Sequence, residues 1–114
     1  MKIIEKIGEF TATEVYNAIN NAQSIKNEID GTVFTVEKIL IYEDTDANGV
    51  VQTITVFVTD TGDILATNSG VISSSLEEMI EILSDYDENI IGKQLKKISG
   101  TSKAGRSFND IVFA

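Results

Sequence analysis

The sequence predicts a small, mainly β fold: a five-stranded barrel with a helix between its third and fourth strands and another helix ahead of the first. Three observations carry this expectation. Runs rich in β-branched and aromatic residues recur from Thr32 onward, separated by glycine-bearing turns. Two other segments, near residues 11–22 and 74–85, show helical spacing behind capping signals. The 114 residues, 42% of them hydrophobic, suffice for one domain with its own core. The expected organisation is therefore a single domain over 1–114, with 1–30 as an N-terminal helical extension and 31–114 as the barrel.

The first helix begins at Thr11-x-x-Glu14, which has the capping-box form, with Phe10 and Val15 at the staple positions. Val15, Ala18, Ile19 and Ala22 then follow helical spacing, and the asparagine-rich run from Asn17 to Asn27 keeps the helix short. From Gly31 the period changes. Thr32 to Tyr42 reads as one long, curved strand, and Asp46-Ala47-Asn48-Gly49 as a hairpin. Val50 to Thr59 pairs back, with Ile54, Val56 and Val58 on one face and Thr53, Thr55 and Phe57 on the other. A turn at Asp60-Thr61-Gly62-Asp63 leads to a short third strand, Ile64 to Asn68. The second helix is expected from a Ser74-x-x-Glu77 cap, burying Leu76, Met79, Ile80 and Leu83. Strands over about Ile90–Ser99 and Arg106–Phe113 close the chain. A three-strand meander, one helix and a final hairpin is the topology of the oligonucleotide-binding barrel, the OB-fold.

Several chemistries lack their parts. There is no cysteine and no histidine, so the usual zinc ligands and the commonest general base are missing. No GxxxxGK[ST] or GxGxxG pattern suggests nucleotide hydrolysis. Asp44-x-Asp46-x-Asn48-Gly49 opens like a calcium loop, but its twelfth position is Thr55 and its flanks read as strands; an acidic hairpin tip is the better reading. The acids Glu77, Glu78, Glu81, Asp85, Asp87 and Glu88 read as a solvated helix face rather than a metal site. The expectation is a protein that is no enzyme and carries neither metal nor cofactor. Met1 to Lys6 interrupts its apolar run with charge, and no stretch approaches the roughly 20 apolar residues of a membrane span. The expected location is the cytoplasm, with no membrane partner.

Net charge is −9, but it is unevenly spread. Residues 1–90 carry 17 acids and 4 bases, whereas 91–114 carry Lys93, Lys96, Lys97, Lys103 and Arg106 against Asp110 alone. Screening confines a surface charge to about 8–10 Å at ordinary salt, so a basic strip on an acidic protein can still hold phosphate.

Tyr42-Glu43-Asp44-Thr45, Ala66-Thr67-Asn68-Ser69 and above all the run Ile98-Ser99-Gly100-Thr101-Ser102-Lys103-Ala104-Gly105-Arg106 resemble the single-stranded DNA-binding proteins of tailed phages (or prophages) of Gram-positive bacteria. The likeness spans roughly residues 32–114 and the short helix before them. It implies an OB-fold that coats single-stranded DNA during phage replication or recombination, in the cytoplasm of a bacterial host. Phage replication or recombination proteins would be further partners. The ending Ile111-Val112-Phe113-Ala114 lacks the acidic tail of the cellular bacterial proteins, so recruitment of partners through such a tail is not expected.

Sequence-tolerant binding of a single strand needs cations for the backbone and flat side chains for the bases. The last hairpin loop offers Thr101, Ser102, Lys103 and Arg106, and its charge continues back through Lys93, Lys96 and Lys97. Phe57 is the leading stacking candidate, on the threonine-bearing face of the second barrel strand; the alternative is that this face is half-buried under the N-terminal helix and Phe57 belongs to the core. Phe108 reads equally as core or platform, Tyr42 is a further platform, Lys38 a further phosphate contact, and Tyr16 and Tyr86 are assigned to packing. The expected path avoids the acidic Asp44–Gly49 tip. The alternative function is an OB-fold module that binds another protein through its acidic surface and no nucleic acid.

Overall fold

A computed structural model describes residues 1–114. In chain order the elements are β1 (Lys2–Ile7), α1 (Ala12–Asn20), β2 (Gln23–Ser24), a 3₁₀ turn (Ile25–Asn27), β3 (Val33–Thr45), β4 (Val51–Thr59), β5 (Ile64–Thr67), α2 (Gly70–Asp85), β6 (Gln94–Thr101) and β7 (Ser107–Phe113). The sheet runs β2-β5-β4-β3-β6-β7, with β1 added on β3. β3 is the spine. One of its edges pairs with β4 from Val36 to Thr45, while the other takes β6 at Val33–Thr35 and β1 at Ile39–Glu43. A bulge between Val36 and Lys38 bends β3 between those two partners. The result is a curled, mixed, mainly β sheet with two helices, compatible with an OB-like fold.

All three hairpins use one turn design. Gly49, Gly62 and Gly105 have φ of +79°, +88° and +80°, each as the third residue of a three-residue loop. In each, the glycine N–H reaches the carbonyl three residues back: Asp46, Thr59 and Ser102. The side-chain oxygen of that same residue accepts the N–H of the fifth: Asp46 from Val50 at 3.0 Å, Thr59 from Asp63 at 3.0 Å, Ser102 from Arg106 at 3.2 Å. The pattern Asp/Thr/Ser-x-x-Gly therefore writes each turn locally.

Two clusters bury the apolar residues. The larger lies inside the curl: Phe34, Val36 and Ile39 of β3, Phe57 of β4, Leu65 of β5, Leu95 and Ile111 of the last hairpin, and Ile72, Leu76, Met79 and Leu83 of α2. The smaller lies on the outer face of the same sheet, where Leu40, Tyr42, Ile54, Val56, Ile64 and Ala66 meet Phe10, Val15, Ala18 and Ile19. Cross-strand partners share a face, so the pairs Leu40–Val56 and Tyr42–Ile54 point outward together, while Ile39–Phe57 points inward. Both faces of the β3–β4 pair are thus dry. α1 holds its place through a complete capping box: Thr11 N–H donates to Glu14 Oε1 at 3.0 Å, and Glu14 N–H to Thr11 Oγ1 at 3.2 Å.

The structure departs from the sequence expectation in three places. The N-terminal segment is not purely helical, because Lys2–Ile7 adds a strand to β3 and Gln23–Ser24 pairs in parallel with β5. α2 starts at Gly70 rather than near Ser74: Ser69 accepts Ile72 N–H at 3.2 Å, which brings fully buried Ile72 in as the first core contact. The sixth strand starts at Gln94, and Ile90 enters the core from the preceding loop.

Candidate nucleic-acid interface

The last hairpin carries three of the six cations that have no acidic partner; Lys2, Lys6 and Lys26 are the other three. Register pairs Lys96 with Val112, Ile98 with Asp110 and Gly100 with Phe108, all on the outer face; Leu95, Lys97 and Ile111 lie on the inner one. Arg106 precedes Phe108 by two residues at the mouth of the loop, and is exposed with Lys103, Thr101 and Ser102. Lys96, Lys103 and Arg106 form no ion pair, whereas three other lysines do. Phe108 is half-buried, and its ring reaches across the hairpin onto Gly100. A Cβ at position 100 would sit 2.7 Å from Phe108 Cζ, so the absence of a side chain there is what seats the ring. Gly100 is required for that packing and has no positive φ; the turn itself rests on Gly105. The outcome is an aromatic ring on the outer surface with Arg106 on its loop side; on the other side come the Ile98–Asp110 pair and then Lys96.

Other predicted contacts are already engaged. Phe57 is fully buried and packs edge-on against Phe34, with ring centroids 5.5 Å apart, so it is a core residue and no stacking platform. Tyr42 is 5% exposed beneath α1, and burial, with Asp44 nearby, pushes its phenol pKa up. It too is removed from the contact set. Lys97 is 4% exposed and holds Asp30 at 2.6 Å; with Ser99 it keeps that carboxylate below its usual range. Lys93 is paired with Glu88. Lys38 binds Glu14, donates to the Glu9 carbonyl at 3.1 Å and sits 5.1 Å from the centre of the Phe10 ring, so it clamps α1 instead of facing solvent. The sequence distance hid these partners: Asp30 is 67 residues from Lys97 and Glu14 is 24 from Lys38.

The Glu14 clamp has a pH signature. The hydrogen bond from Lys38, with those from Thr11, lowers the Glu14 pKa from 4.5 to about 2. A depressed carboxylate pKa stabilises the fold above the unfolded value and loses that contribution as pH falls from 4.5 toward 2. Acid titration followed by circular dichroism is therefore expected to show a loss of stability across that window, and Glu14→Gln is expected to lack this component while being less stable at neutral pH.

Two aromatic assignments change in the opposite sense. Tyr16 and Tyr86, read as packing residues, are 64% and 73% exposed. Helical spacing alone did not separate them from the buried stripes: the docking of α1 on β3–β5 fixes which flank of that helix faces out, and Tyr86 is the C-cap of α2, past its last buried residue Leu83.

A family model described as phage single-stranded DNA-binding protein matches residues 7–112, nearly the whole chain. The chain belongs to this family. The match begins in β1 and ends in β7, so it takes in α1, the curled sheet and the basic hairpin together. Phage single-stranded DNA-binding proteins act on single-stranded DNA in a phage context, which agrees with the likeness read from the Ile98–Arg106 segment. No curated protein and no solved structure matches the chain. No helix is long and apolar enough to cross a membrane.

Proposed function

We propose that this phage single-stranded DNA-binding protein holds DNA strands without sequence preference during phage replication or recombination, and does so as a binder rather than an enzyme. The contact is the outer face of the β6–β7 hairpin. Lys103 and Arg106 at the tip, with Lys96 behind them, hold phosphates, and Thr101 and Ser102 add hydroxyl donors. Phe108 is the base platform.

The observation that supports this reading most is the seating of Phe108 on Gly100 at the mouth of a loop that carries unpaired Lys103 and Arg106. A flat apolar ring beside cations is the combination that sequence-tolerant single-strand binding requires. The acidic tip at Asp44–Asp46 and the acids along α2 repel a phosphate chain, which confines it to this region. The test is fluorescence anisotropy of a labelled oligo-dT at several salt concentrations, with duplex as competitor. Tight, salt-weakened binding that duplex does not displace is the expected result. Absence of binding at low salt would instead assign the acidic surface to a protein partner.

A further inference from the structure

α1 covers the outer face of β3, β4 and β5, the sheet face on which an OB-fold ordinarily receives a strand. The side chains that would have formed a platform there, Tyr42 and Val56, are buried under Ala18, Val15 and Ile19. A surface covered in this way either loses contact with the ligand or hands the contact to what covers it. The solvent side of α1 is equipped for the second. Thr13, Tyr16 and Asn20 lie three and four residues apart and are all exposed, with Asn17 beside them. Asn20 Nδ2 donates to the Tyr16 carbonyl at 3.0 Å, which fixes the carboxamide and leaves its oxygen free to accept. The one acid of this helix, Glu14, is neutralised by Lys38.

We infer that the exposed face of α1 is a second base-contacting surface, in which Tyr16 stacks a nucleobase and Asn20 hydrogen-bonds a base edge of the same single strand held by the basic hairpin. This rests on the single-strand reading above. The two surfaces share one side of the sheet. Lys96 lies opposite Val33 in register, Val33 is 48% exposed, and β3 continues from there to the strand face under α1. A strand leaving Phe108 therefore passes the Ile98–Asp110 pair, then Lys96 and Val33, toward Tyr16. Aromatic stacking tolerates every base, and a carboxamide can pair with more than one base edge, so the surface suits a strand of any sequence.

The protein has no tryptophan, which makes the test direct. Tyr16→Trp in the full chain reports on α1, and Tyr86→Trp, past the end of α2, serves as the control. Titration with oligo-dT is expected to quench the first and leave the second unchanged. Tyr16→Ala is expected to weaken oligo-dT binding by roughly tenfold, with Tyr16→Phe close to the parent protein. An unquenched Trp at 16, equal quenching at both positions, or unchanged affinity in Tyr16→Ala would overturn the inference. If that happens while Lys103→Ala and Arg106→Ala still weaken binding, the hairpin reading stands alone; if the parent protein itself fails to bind oligo-dT, both fail.

Discussion

Replacing Phe57 by alanine is expected to cost about 3–5 kcal/mol of folding stability and to leave the DNA affinity of the folded protein unchanged. The ring is fully buried between α2 and the curled sheet and stacks edge-on with Phe34, so its removal leaves a cavity that the surrounding strands cannot close. For a chain of this size each kcal/mol corresponds to about 4–8 °C, so the melting temperature should fall by more than about 12 °C. Chemical denaturation measures the loss, and anisotropy at a temperature where the variant is still folded measures the affinity. An affinity loss without a stability loss would return Phe57 to the surface and contradict the burial.

The second large effect belongs to the hairpin tip. Lys103→Ala combined with Arg106→Ala is expected to lower the slope of log affinity against log salt by about 1.4, at about 0.7 per phosphate on a single strand, and to weaken binding to every sequence tested. Stability should stay within about 0.5 kcal/mol, because both side chains are exposed and neither forms an ion pair. The turn survives as well, since Ser102 caps the backbone N–H of residue 106 and does not need the guanidinium. A slope identical to that of the parent protein would show that these two charges touch no phosphate.

Much of the scaffold was legible because its signals are local. The capping box at Thr11 and Glu14, the three turn glycines and the alternation along β4 are each decided within a few residues, and each is where the residues place it. What was not legible depends on partners far away in the chain. Lys2–Ile7 is a strand because β3 has a free edge for it, not because its own pattern is distinctive. Phe57 looked available because alternation tells which residues share a face, but not whether that face is covered. Here α1 dries one side of β4 and α2 the other, so Thr55 and Val56 are as buried as Phe57. The same limit applied to charge. Counting cations located the basic strip correctly, but only the fold revealed that Lys38, Lys93 and Lys97 are already held by acids while Lys96, Lys103 and Arg106 are not. The start of α2 was misplaced because Ser69 and Ser74 both offer a hydroxyl cap, and the buried position of Ile72 decides between them.

The three matching turns separate two kinds of information along the chain. In each, the first residue's side-chain oxygen and the glycine define the bend, and of the side chains between them only Thr61 adds a hydrogen bond to it. Those two positions read Ala47-Asn48, Asp60-Thr61 and Lys103-Ala104. The acidity of the first tip is thus written into its bend, through Asp46, whereas Lys103 rides on a bend that Ser102 and Gly105 make without it.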